Sequence, residues 1–188
     1  MPVSPTCWKL NWPPIMPDFF TGQCENGQPS DTLVSEPLFG LCDDTTKDDE
    51  PAYVSTDLEA EATWIARVDN SPGYEVTFKS VDNCIPVFKG DGNEQSRCDG
   101  MLLYEDTIIF VELKEQKDPG TKWAFKGSEQ VKQTIKDFRA SHDTAGKTLR
   151  AYVANRIQPN SQKAHFSIIK NFTKAMKVLL RVEGTIEL

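Results

Sequence analysis

Between Tyr74 and Lys114 the chain carries three segments that read as β-strands. Tyr74-Glu75-Val76-Thr77-Phe78 alternates, with Val76 and Phe78 on one face. Arg97–Tyr104 and Thr107–Lys114 read as two strands joined by a tight turn at Glu105-Asp106. The second holds Ile108-Ile109-Phe110-Val111, the most apolar run of the three, which predicts a central strand buried on both faces. Ahead of them, Leu58, Ala62, Ile65 and Val68 recur at helical spacing behind possible N-caps at Ser55, Thr56 or Asp57, predicting a helix over about 57–68. Asn70-Ser71-Pro72-Gly73 and Gly90-Asp91-Gly92-Asn93 read as turn and loop. After a turn at Asp118-Pro119-Gly120, Val131, Ile135 and Phe138 predict a helix over about 124–140. Leu149–Ala154 reads as a strand, 161–177 as a second, basic helix with Phe166, Ile169 and Phe172 on one face, and 178–188 as a closing strand.

The predicted order is helix, three strands, helix, strand, with a helix and strand appended: an α+β domain on a mixed sheet, spanning residues 53–188. Residues 1–52 show no sustained apolar period and contain the acidic run DDTTKDDE at 43–50, so they read as an irregular acidic N-terminal arm. Trp8, Trp12, Phe19, Phe20, Leu38, Phe39 and Leu41 are too apolar to remain in water, and parts of the arm are expected to drape over the domain.

With 188 residues, one principal domain is expected. The net charge of -7 excludes a uniformly basic protein, yet the average conceals an asymmetry. Residues 1–110 hold 6 Lys/Arg and 20 Asp/Glu, whereas residues 111–188 hold 15 and 8, so a polyanion should meet the C-terminal half. No apolar stretch approaches the roughly 20 residues of a membrane span. The N-terminal residues show no basic-then-apolar leader pattern, and a cytoplasmic location is expected. Five scattered cysteines without a Cys-x-x-Cys pair predict reduced thiols rather than a disulfide framework or a zinc site.

The segment CDGMLLYEDTIIFVELKEQ carries the chemistry. A hairpin turning at Glu105-Asp106 sets Asp99 opposite Glu112, with cross-strand Cβ atoms about 5 Å apart. Lys114, two residues beyond Glu112, shares its face of the sheet. Two carboxylates side by side on an apolar strand pair repel one another and lose hydration, a conflict that a divalent cation removes. All-oxygen ligands of this kind suit Mg²⁺ or Mn²⁺. Lys114 is then placed to orient a water and to stabilise charge developing on a phosphate.

Asp99, followed thirteen residues later by Glu112-Leu113-Lys114, resembles the Asp…Glu-x-Lys signature of the PD-(D/E)xK nuclease superfamily. The predicted elements over about 57–154 resemble that family's αβββαβ core, the restriction-endonuclease-like fold. The resemblance implies a Mg²⁺-dependent nuclease acting on DNA rather than RNA, with Asp99, Glu112 and the Leu113 carbonyl as metal ligands and Lys114 as the catalytic lysine. It also implies an acidic residue on the first helix, for which Glu61 is preferred over Glu59, and a polar residue near the site at Gln130. Cys98 stands where the signature usually has proline.

Lys122, Lys126, Lys132, Lys136, Arg139, Lys147 and Arg150 interleave with Trp123 and Phe125 beyond this segment, as in a phosphate-tracking groove, with Lys122 and Lys126 nearest the motif. There is no Gly-rich phosphate loop, Gly-x-Ser-x-Gly elbow or His-Glu-x-x-His helix. The alternative reading is a non-catalytic regulatory or immunity-like module that keeps the fold and engages a basic protein through its acidic N-terminal half.

Overall fold

The computed structural model describes residues 16–24, 26–44, 46–47, 50–89, 91–117, 120–158 and 162–188. Cys7, Trp8, Trp12, Gly90, Asp118 and Pro119, with part of the 43–50 run, lie outside the described residues. The fold is α+β, built from two mixed sheets and two α-helices.

The larger sheet has six strands: β1 (Asp31–Val34), β5 (Val76–Ser80), β6 (Gly100–Tyr104), β7 (Thr107–Lys114), β8 (Thr148–Asn155) and β9 (Leu179–Val182), in the spatial order β1-β5-β6-β7-β8-β9. The pairs from β1 to β7 are antiparallel, while β7–β8 and β8–β9 are parallel. Their crossovers run through α1 (Lys122–Ser141) and α2 (Phe166–Met176). The smaller sheet comprises β2 (Leu38–Cys42), β3 (Tyr53–Ser55), β4 (Ala66–Asp69) and β10 (Thr185–Glu187), in the order β10-β4-β2-β3.

Strand β7 explains the layering, because its residues face two cores in alternation. Ile108 and Phe110 join the core beneath the helices, with Trp123, Val131, Ile135 and Phe138 of α1 and Phe172 and Met176 of α2. Ile109, Val111 and Leu113 face the smaller sheet, where Phe39, Leu41, Ala66, Val68 and Ile186 complete a second core. An apolar strand with no solvent face is the outcome expected for a layer enclosed on both sides. The β6–β7 turn falls at Glu105-Asp106, with Glu105 in the left-handed region at φ 45°, as a two-residue hairpin demands.

Three expectations need correction. Residues 57–68 do not form an α-helix: Leu58–Thr63 makes a 3-10 turn with no buried residue, and Ala66–Asp69 is β4. Trp64 and Ile65 are buried between them, with the Trp64 ring lying where a Cβ at position 40 would be, so only glycine fits there in β2. Pairing of β4 with both β2 and β10 overrides the local helical spacing. Residues 16–52 are not an irregular arm. β1 extends the larger sheet, β2 and part of the second core lie here, and Phe19 is fully buried against Phe138. The buried Lys79 ammonium ties this segment to β5 by donating to the Thr21 carbonyl at 2.6 Å and Ser30 Oγ at 3.0 Å, and by pairing with Asp31. Finally, Cys24 and Cys84 form a disulfide across 60 residues, while Cys42 and Cys98 are buried free thiols. The β1–β5 pairing creates this proximity, which no sequence spacing announces.

The bridge closes a long loop, so its removal should free the unfolded chain. Replacing Cys24 and Cys84 with serine is expected to lower unfolding free energy by about 2–4 kcal/mol. Denaturant titration with and without a dithiol reductant checks this, and a midpoint insensitive to both changes would mean that the bridge does not form.

Candidate functional site

The β6–β7 ladder ends at the Gly100–Val111 pair, and Asp99 follows one position on, opposite Glu112. Beyond that point the Leu113 amide has no β6 partner and instead donates to Asp99 Oδ2 at 2.5 Å. In a strand the N–H and C=O of one residue leave on the same side. The Leu113 carbonyl therefore also points toward Asp99, past the end of β6.

Glu112 is fully buried on the helix side of β7. Lys114 pairs with Glu112 Oε1 from the same face, whereas Glu112 Oε2 has no hydrogen-bond partner. Helix α1 closes over the carboxylate because it carries glycine at 127: a Cβ there would lie 2.8 Å from a Val153 methyl and 3.2 Å from Glu112 Cγ. The same helix holds the approach to Asp99. Thr134 Oγ1 accepts from the Cys98 amide at 2.8 Å, and Gln130 Nε2 donates to the Arg97 carbonyl at 3.1 Å. The Arg97 guanidinium is buried, donating to the Ile85 carbonyl at 2.8 Å and to Asp82 Oδ1 at 3.2 Å.

The electrostatics record the conflict between the two acids. Burial pushes the Asp99 carboxyl up to about 7, against Lys114 and the Leu113 amide, with the charges of Asp43 and Asp82 adding to the rise. Burial and then the Asp99 charge drive Glu112 well above the usual carboxylate range. Asp43, on the loop after β2, is itself raised by burial and by Asp82. Burial pulls the Lys114 ammonium down, but Glu112 and Asp99 more than offset this and raise it, so it stays charged at neutral pH. Without a cation, the acidic pair relieves its repulsion by retaining a proton.

Asp99, Glu112, Leu113 and Lys114 thus converge where the motif sets them. Lys122 and Lys126 line a cleft of about 690 Å³ that begins at Lys114 and includes Gln116, Thr121 and Trp123. Gln130 is a brace for the Arg97–Cys98 segment rather than a group facing that cleft. Glu61 neither lines this cleft nor counts among the charges acting on Asp99: it is exposed, pairs with Arg67 and lines a separate pocket with Trp64, Arg156 and Thr185. The acids whose charges act on Asp99 are Asp43 and Asp82, which sequence reasoning missed. Asp82 was within reach of a register argument, because Ser80 pairs with Gly100 and the next residues run alongside Asp99. Asp43 depends on the smaller sheet, whose pairing is non-local.

No family model, curated protein or solved structure matches the chain. No group of three or more His, Cys, Asp or Glu side chains able to hold a metal occurs among the described residues.

A folded carboxyl raised from its unfolded value near 4 to about 7 stabilises the fold most below pH 4, and that contribution is lost as pH rises through 7. Asp99→Asn keeps the acceptor for Leu113 and removes the titration. It is expected to raise stability at pH 8 by on the order of 2 kcal/mol relative to the parent and to leave it little changed at pH 4. Thermal unfolding at both pH values measures the difference, and equal effects would refute this origin for the conflict.

Proposed function

We propose that the protein is a Mg²⁺-dependent nuclease of the PD-(D/E)xK type, hydrolysing phosphodiester bonds in DNA. The observation that carries the reading is the buried Glu112 carboxylate with an unpartnered Oε2, set opposite Asp99 and beside a lysine. A buried, unsatisfied acid next to a second acid costs stability and is retained where it holds a cation or proton for function.

The residues fit a hard divalent ion. Asp99, Glu112 and the Leu113 carbonyl supply oxygen ligands at one strand end, and two or three protein ligands suffice for Mg²⁺, which keeps several of its own waters. When bound, the ion would supply Lewis-acid activation of a phosphoryl oxygen and a more acidic water. The remaining work falls to the chain. Asp99 is held by the Leu113 amide, and the segment before it is braced by Thr134 and Gln130. Lys114, charged and partly buried, orients the attacking water and stabilises negative charge on the phosphoryl group. Lys122 and Lys126, with no ion-pair partner among the described residues, receive the neighbouring phosphates in the cleft.

The expected behaviour is Mg²⁺-dependent cleavage of DNA that stops with EDTA. Asp99→Ala and Lys114→Ala should each reduce the rate at least 100-fold in protein that circular dichroism shows to be folded, and Asp99→Ala should also abolish Mg²⁺ binding by calorimetry. Glu61→Ala should cut at the parent rate. Cleavage by the Lys114→Ala or Asp99→Ala variant at the parent rate would end this reading.

A further inference from the structure

Helix α2 crosses from β8 to β9 and fully buries only Phe172 and Met176. Others of its apolar side chains serve a different surface: Phe166 is 67 % exposed and Ile169 is half-buried. With Lys170, Lys174, Lys177 and Leu179 they line a mainly apolar groove of about 740 Å³.

Strand alternation places this groove. Val178, Leu180 and Val182 point into the core beneath the helices, so Leu179 turns to the opposite face of the sheet, where it is 49 % exposed. A groove lined by α2 on one face and by Leu179 on the other runs past the outer edge of β9. β9 is the last strand of the six-stranded sheet and pairs with β8 alone, so its outer edge has no strand partner among the described residues. Charge protects a strand edge against association, but here charge is combined with bare apolar side chains, the composition of a docking surface.

That charge has one sign. Lys170, Lys174 and Lys177 are exposed, and no acid lines the groove among the described residues. A second copy joined β9 to β9 across a twofold axis would set three lysines against three, which like-charge repulsion opposes. A bilayer would cover the apolar side chains but leave the strand edge unpaired in hydrocarbon. An extended segment with acidic and apolar side chains pairs the backbone edge, covers Phe166 and Leu179, and neutralises the lysines together.

We propose that the groove between α2 and the edge of β9 docks an extended acidic and apolar segment of another protein, which adds to the sheet as a strand beside β9. This surface is separate from the Lys114 cleft, and the assignment does not depend on the nuclease reading.

The test measures fluorescence anisotropy of fluorescein-labelled (Glu-Val)5 with the full chain. This probe is expected to bind, whereas (Lys-Val)5 is not. A fully N-methylated (Glu-Val)5 keeps every side chain but cannot donate to the β9 carbonyls, and it should bind about tenfold more weakly or worse. Phe166→Ala combined with Leu179→Ser should lose about tenfold through the lost apolar contact, and Lys170→Glu combined with Lys174→Glu about tenfold through reversed charge. Leu33→Ser, at an exposed residue on β1 at the opposite edge of the same sheet, should lose none. Circular dichroism melting confirms that each variant folds, and the comparison of the three peptides needs no variant. No binding of (Glu-Val)5, equal binding of (Lys-Val)5, or undiminished binding of the N-methylated peptide overturns the proposal. Dimerisation in sedimentation velocity that Phe166→Ala with Leu179→Ser abolishes would assign the groove to a second copy. Binding of phosphatidylserine-containing vesicles in place of the peptide would assign it to a membrane surface, and either result also overturns the proposal.

Discussion

The pairing of β6 with β7 imposes a constraint to which the surrounding structure answers. A two-residue turn at Glu105-Asp106 fixes the register, and the register sets Asp99 against Glu112 at the point where the ladder ends. Because β7 is enclosed by a core on each face, the Glu112 side chain cannot reach water. Two neighbouring acids, Glu112 buried and Asp99 partly so, oppose folding, and local features partly offset that cost. The Leu113 amide donates to Asp99, Lys114 pairs with Glu112, and Gly127 lets α1 seal the pocket. Replacing the acids with apolar residues would make a simpler core. The position of Glu112 in that buried strand, with Asp99 opposite it, is therefore the strongest argument for proposing a site at the strand end.

What was legible in the sequence was local. The apolar run of β7, the alternation in β5, the two-residue turn and the spacings in α1 each depend on a few neighbouring residues, and they carry the α+β architecture and the placement of Asp99, Glu112 and Lys114. The 57–68 segment shows the limit. Leu58, Ala62, Ile65 and Val68 do recur at helical intervals, but Ala66–Asp69 also alternates, and only the presence of β2 and β10 on either side decides between the two periods. Leu58 is left exposed by that decision. The family resemblance led to Glu61 through a helix that the smaller sheet replaces.

The contributions of residues 16–52 were hidden for a related reason. β1 is four residues long, with only Val34 buried, and β2 has a glycine at its centre to admit Trp64, so neither shows a sustained period. Their stability comes from partners far along the chain: Lys79 reaching back to Thr21, Ser30 and Asp31, Cys84 bridging to Cys24, and Phe19 inserted against Phe138. Interactions of this separation are the ones that a reading by windows cannot see. Asp43 reaches the site by the same route, carried on the end of β2.

The charge asymmetry of the chain acquires a structural meaning at β7, where the acidic first 110 residues give way to the basic remainder. On the side of the strand end supplied by the N-terminal half stand Asp99, Asp82 and Asp43, whose charges add together at the carboxyl pair. On the side supplied by the C-terminal half stand Lys114, Lys122 and Lys126, lining a cleft that has no acid among the described residues. A net charge of -7 would repel a polyanion if it acted as a single charge, but at physiological ionic strength charges separated by more than about 8 Å are largely screened. On the nuclease reading proposed above, the local field of the lysine cleft governs docking, and the local field of the acids governs cation capture. Placing both at one strand end gives neighbouring sites of opposite sign, which is the electrostatic arrangement that hydrolysis of a phosphodiester with a divalent ion requires.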